Sequence, residues 1–293
     1  MDDAHALARA SMLDYPTALD TTNYLSKERE YVPMNAGLSA SSYIYDRMAY
    51  NEDDRYAFEY YMLGRLKPVY NYLGNITSNG TLPVETDMQR IFRTLINSWT
   101  CKLNDAQCNS EASNLFNQWM EMDPAPLPLL PSPINPDLKS VSYCAAIRTG
   151  NLTHYEFLNA RYDESQYMPG ETSLIINSLS CSQNLTQLQL YGQSGAESVF
   201  RGIAYKLNTQ EHLNTLNGFA ADNDETLSPS EKSAIDSAVK TVEEILAWHE
   251  AHYQTVRLYF QSKLPPPPPT PPPSGVAGLL GSPLLAFATM ALV

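Results

Sequence analysis

All four cysteines of this chain, Cys101, Cys108, Cys144 and Cys181, fall in one helix-patterned stretch from Arg90 to Cys181. Cross-links there would limit which helices can be neighbours. Within the stretch apolar residues recur at intervals of three and four: Ile91, Leu95 and Ile96, then Leu115, Phe116, Trp119 and Met120. That spacing puts each set on one face of an amphipathic helix. Asn135-Pro136 reads as a helix start, with Asn as N-cap and Pro at the first helical position, and Gly150 reads as its left-handed stop. Four cysteines allow three pairings. The short span between Cys101 and Cys108 suits one bridge and leaves Cys144 for Cys181. The longer loop would then contribute around 3–4 kcal/mol on a chain-entropy estimate. Four free buried thiols are the alternative. The spacing lacks the CxxC pattern, which argues against zinc or redox use.

The rest of the chain carries the same periodicity. A first helix is expected from Asp2 or Asp3, burying Leu7, Ala10 and Leu13, and a second from Pro16, with Leu19 and Leu25. A third is placed near Leu38 to Met48. A fourth carries Phe58, Met62, Leu66 and Val69 and is bent at Pro68. Helices near 86–103, 108–122, 155–162 and 171–180 follow, and one or two more across 197–221. Ser228-Pro229-Ser230-Glu231 is a capping box. It opens the longest helix, with Ile235, Val242, Ile245, Leu246, Val256 and Phe260 toward the core. No stretch alternates with period two. The expected fold is all-α: antiparallel helix pairs in a curved, α-solenoid-like array.

The 293 residues divide by composition into a helical part, 1–263, a proline-rich stalk, 264–274, and an apolar tail, 275–293. The stalk, PPPPPTPPP, reads as a polyproline II rod. The tail has two readings. A spanning helix needs roughly 20 apolar residues, against 18 from Val276 to Val293, interrupted by Gly281 and Pro283. A glycolipid-anchor signal needs small residues, a spacer and an apolar end. The second is preferred, with Gly275 as the attachment residue and the membrane as partner. Four sequons, at Asn75, Asn79, Asn151 and Asn184, together with paired cysteines point to a glycoprotein outside the cell. MDDAHALARAS has neither a basic nor an apolar leader region, so the chain is expected to be the end of a longer precursor. Its 19 basic and 32 acidic residues, net −13, argue against a nucleic-acid partner.

Catalytic motifs are scarce. His249-Glu250-Ala251-His252 spaces its imidazoles at i, i+3, whereas a zincin helix needs i, i+4; a polar strip on a long helix is the plainer reading. His5, His154 and His212 are isolated and expected at the surface or in caps. No nucleophile elbow frames a serine, and no glycine-rich phosphate loop occurs.

The central block resembles the C-terminal helical domain of the aminopeptidase N family of zinc metallopeptidases. The likeness rests on Cys101 and Cys108, Leu115-Phe116, Trp119-Met120, Ile134-Asn135-Pro136-Asp137-Leu138, Tyr143-Cys144, Ala146-Ile147-Arg148, Phe157-Leu158, Arg161-Tyr162 and Leu179-Ser180-Cys181, with Asp2-Asp3-Ala4 and Tyr31-Val32-Pro33 ahead of them. The stalk and tail resemble those of glycolipid-anchored members. The resemblance implies a bowl of antiparallel helices that closes over an upstream catalytic domain and limits which peptides enter. It implies the same cysteine pairing that spacing suggests. The family's zinc and substrate motifs lie upstream of anything present here, so no catalytic residue, metal ligand or cofactor is assigned to this chain, and no peptidase activity is expected of it alone. Near 191–197 the chain departs from the family by skipping several helices. A docking module for lectin-like ligands or pore-forming toxins is the alternative expectation.

Overall fold

The computed structural model describes residues 1–48, 51–77, 85–122, 132–165, 168–182, 204 and 207–266, with Asp163 and Glu164 by backbone alone. Among these residues every regular element is helical, as the single periodicity requires. None of these helices is long and apolar enough to cross a membrane. The stalk beyond Pro266, the tail with Gly275, the skipped region near 191–197, and the sequons at Asn79 and Asn184 lie outside the described residues.

The chain opens with α1 (Asp2–Arg9) and α2 (Tyr15–Asp20), the latter capped by Asp14, whose carboxylate accepts from the Thr17 amide at 2.9 Å. Here the expected burial is corrected. Leu7 is 41% exposed, Ala10 is exposed and Leu13 is half-buried, while α1 buries Ala8 and His5. The helix ends at Arg9, and Ser11, at φ 57°, turns the chain away before Leu13 can share its face. His5, expected at the surface, is 1% exposed. A 3₁₀ turn, Thr21–Lys27, leads to α3 (Tyr31–Met48) and α4 (Glu52–Leu73). Asn51 caps α4 by accepting from the amides of Asp53 and Asp54, and Gly74, at φ 97°, closes it in a conformation that suits a residue without a Cβ. Pro68 lies within α4 without ending it.

Helices α5 (Asp87–Lys102) and α6 (Ala106–Met122) are joined by a three-residue turn whose Asn104 has φ 60°. In α5 the buried face is Phe92, Ile96, Asn97, Thr100 and Cys101; Ile91 is 51% exposed, so the face is rotated from the one its leucines and isoleucines suggest. Then come α7 (Pro136–Thr149), α8 (Leu152–Glu164) and α9 (Pro169–Leu179). Gly150, expected to be left-handed, is extended, at φ −83° and ψ −173°. Glycine is needed for space: a Cβ there would lie 2.4 Å from the Ala146 carbonyl oxygen.

From α3 to α9 each helix packs on the next, and α3, α5, α7 and α9 also touch in succession. Odd- and even-numbered helices therefore form two layers, as stacked helical hairpins do. Their shared core holds Phe58, Tyr61, Phe92, Phe116, Trp119 and Tyr143. Beyond it, α10 (Gln210–Asp222) and α11 (Pro229–Trp248) pair around a second cluster of Leu213, Leu216, Ile235, Ala238 and Val242. The capping box at Ser228 forms as expected, with the Ser228 hydroxyl accepting from the Glu231 amide at 3.3 Å. The long helix is not uniform. A π turn, His249–Tyr253, separates α11 from α12 (Gln254–Gln261), which packs back on α2 and α4.

Candidate functional site

Three sets of side chains carry the chemistry of the described region. The first surrounds the Cys101–Cys108 disulfide, which clamps the α5–α6 turn with a Cα separation of 5.1 Å. Both cysteines are buried, at 1% and 0% exposure. The Cys101 carbonyl accepts from Asn109 Nδ2 at 3.2 Å and from the Arg148 guanidinium at 3.2 Å. Nearby, Asn104 donates to Glu59 at 2.8 Å, and Tyr45 donates to the same carboxylate at 3.4 Å. Lys102 faces Asp46 at 3.8 Å and donates to Ser42 at 3.4 Å. Burial dominates the electrostatics. It raises the Glu59 and Asp46 carboxyls above their usual range, lowers Lys102 and Arg148, and pushes the Tyr45 phenol up to about 12. Such perturbed groups gather in active sites and in structural ion networks alike. Here each one fastens the α5–α6 turn to α3, α4 or α7.

The second disulfide, Cys144–Cys181, ties α7 to the residues just after α9, with a Cα separation of 5.4 Å. Both pairs are those the spacing suggests, and no cysteine is free. Arg148, one turn beyond Cys144, donates to its Sγ at 2.9 Å. One arginine thus touches a member of each bridge.

The third set is a clasp between the last helix and the first layer. Asp54, 2% exposed, accepts from Tyr253 at 2.6 Å, Arg257 at 3.0 Å and Gln261 at 2.7 Å. Tyr259 donates to Asp20 at 2.7 Å and shares a hydrogen bond with Tyr61 at 3.0 Å. Trp248 Nε1 donates to the Tyr15 hydroxyl at 2.6 Å. None of these roles was apparent from the sequence, since residues two hundred apart carry no mutual spacing signal.

The histidines serve structure. His249 donates through Nε2 to the Arg47 carbonyl at 2.9 Å, and His252 lies 3.5 Å from the Ser11 hydroxyl. Asp14 accepts from Thr17 and makes no hydrogen bond to His252, so Ser11, His252 and Asp14 do not form a relay. No group of three His, Cys, Asp or Glu side chains suited to a metal occurs among the described residues. His154 belongs to a capping box with Asn151, and the His212 ring accepts from the Asn208 amide at 3.3 Å, as capping histidines do. Of the two described sequons, Asn151 is exposed as the N-cap of α8. Asn75 is half-buried, with its amide donating to Glu111 at 3.1 Å.

The fold and the bridges can be set beside known proteins. Residues 1–193 match the family described as the ERAP1-like C-terminal domain. Among curated relatives, an Aminopeptidase N of Plutella xylostella is 22% identical over 89% of this chain and 32% of its own length. Aminopeptidase Ey of Gallus gallus is 27% identical over 76% of this chain and 21% of its own. Glutamyl aminopeptidase of Sus scrofa is 30% identical over 65% of this chain and 19% of its own. The chain spans about a fifth to a third of the length of the curated relatives it matches. A family match across residues 1–193 of 293, on an all-helical two-layer array, places this chain in the ERAP1-like C-terminal domain family, the helical C-terminal domain of aminopeptidase N-type proteins.

Proposed function

We propose that the chain acts as the non-catalytic closing domain of a membrane-anchored zinc aminopeptidase, capping the active site and shaping which peptides reach it. The observation that carries this reading is the family match over residues 1–193 within aminopeptidases three or more times longer. The three polar sets described above support it, because each joins one part of the helical array to another. In the intact enzyme a zinc-activated water, held by the catalytic domain, would remove N-terminal residues. Purified alone with added zinc, the chain should not hydrolyse an aminoacyl-nitroanilide. Turnover abolished by a chelator would overturn the reading. Peptides mapping upstream of Met1 in mass spectrometry of the native protein would support the longer precursor.

The same reading places the protein outside the cell on a glycolipid, attached at Gly275 and glycosylated at its sequons. A phosphatidylinositol-specific phospholipase should release it from membranes, and retention after digestion would count against the anchor. The exposed N-cap position of Asn151 favours a glycan there. It also gives substance to the second reading, a glycosylated surface that docks lectin-like ligands or toxins. Loss of ligand binding after enzymatic deglycosylation would favour that role, and unchanged binding would count against its sugar-dependent form.

A further inference from the structure

The two disulfides sit in opposite environments. Cys101 and Cys108 are enclosed, and the Cys108 sulfur lies 3.3 Å from the Asn97 carbonyl oxygen. Cys144 and Cys181 are half-buried, and the Cys181 sulfur lies past the end of α9, 3.8 Å from the carbonyl oxygen of the exposed Asn177. The Arg148 guanidinium reaches the Cys144 sulfur at 2.9 Å and is fixed there by its second bond to the Cys101 carbonyl, at 3.2 Å. A cation held against one sulfur of a bridge stabilises negative charge on that sulfur, and thiol–disulfide exchange is fastest when the departing sulfur carries charge well.

We propose that Cys144–Cys181 is a dithiol-reducible site, opened by attack at Cys181 with Cys144 leaving as a thiolate against Arg148. The spacing of the cysteines, which lacks CxxC, gives no hint of this; the position of Arg148 does. In the first step an external thiolate forms a bond to Cys181 Sγ as the Cys181–Cys144 bond breaks. The electron pair of that bond goes to Cys144 Sγ. In the second step the other thiol of the dithiol attacks the mixed disulfide, releasing Cys181, which takes up a proton. The protein bridge is reduced by two electrons and the dithiol is oxidised to its disulfide. Opening it frees α7 from covalent attachment to the chain beyond α9, while the buried bridge keeps α5 and α6 together.

The test uses the full chain under native conditions. Glutathione is added in excess, free thiols are blocked at short times before Cys144 or a second glutathione resolves the mixed disulfide, and the adduct is located by peptide mass spectrometry. The expected product carries glutathione on Cys181 and the blocking group on Cys144, with Cys101–Cys108 intact. Glutathione found mainly on Cys144, or opening of Cys101–Cys108 first, overturns the proposal. A second arm compares Arg148→Lys and Arg148→Met, with folding of each checked by circular dichroism. Arg148→Lys should keep the site preference, while Arg148→Met should slow native opening by severalfold. Equal rates for wild type and a folded Arg148→Met overturn the role given to the guanidinium. Should Arg148→Met not fold, the adduct position in the wild-type chain decides alone.

Discussion

The large core and the small one are held together by different means. Around Phe116 the large core stacks aromatic on aromatic: Trp119, Tyr143, Phe157 and His154 all have ring centroids within 6.1 Å of it. Two disulfides bind the same helices. The small cluster between α10 and α11 has six buried residues, all aliphatic, and no cross-link among its described residues. Area burial scales with side-chain size, so the two-helix unit should open locally at a free energy below that of the whole fold. Among the described residues α11 joins it to the large core, to which that helix's last residue, Trp248, already belongs.

The largest expected effect tests the aromatic side of this contrast. Phe116→Ala removes a fully buried ring from the centre of the stack and should cost about 3–5 kcal/mol, read from the denaturant midpoint with the disulfides intact. A loss below about 1 kcal/mol would mean the stack does not carry the core. Next comes acid sensitivity. Burial first, and Arg9 second, hold the His5 imidazole down, at about 4 against an ordinary 6.5. The unfolded chain therefore takes up this proton below pH 6.5 while the folded chain resists it until about pH 4. The stability His5 contributes is present above pH 6.5 and is lost as pH falls toward 4, on the order of 3 kcal/mol in all. The raised carboxyls Glu59 and Asp46 act in the opposite sense, their contribution fading as pH climbs past the ordinary carboxylate range. The readout is thus the difference between wild type and His5→Gln. Parallel urea midpoints for the two between pH 7 and 4 would show that His5 is not the sensor.

Two smaller effects probe the aliphatic side. Val242→Ala, at a fully buried position of α11, should cost roughly 2 kcal/mol. It should appear as faster amide exchange confined to α10 and α11, with the large core unchanged. Acceleration spread evenly over both would merge the two cores into one cooperative unit. Ser228→Ala breaks the capping box and should cost about 1 kcal/mol, again felt first in exchange from the opening turns of α11.

Much of this organisation is legible in the residues. Period places α2 and α5 to α9 to within a few residues, and the caps expected at Asn135 and Ser228 open α7 and α11, whereas α10 begins at Gln210, well inside the 197–221 span in which one or two helices are expected. Faces are harder to read. Ile91 and Phe92 are both apolar neighbours in α5, and only contact with α4 and α7 decides that Phe92 turns inward. The buried ions are harder still: Asp54 and Glu59 look like ordinary surface acids until α12 and the α5–α6 turn close on them. Gly150 has the sequence signature of a left-handed stop, whereas its neighbours demand only room. The bridges are readable because a loop of only six residues between Cys101 and Cys108 leaves little choice of partner.

The π turn at His249–Tyr253 has a geometric cost and a use. A wider turn holds one residue more than the α-helix would, and each α-helical residue advances the azimuth by about 100°. Rewound as α-helix with every residue kept, the rod would run straight, yet everything downstream would swing by about that angle. Tyr259 and Phe260, now seated on Tyr61, would then face water, and Arg257 would lose its grip on Asp54. The irregular turn is therefore the hinge pin that sets the bearing of the final helix.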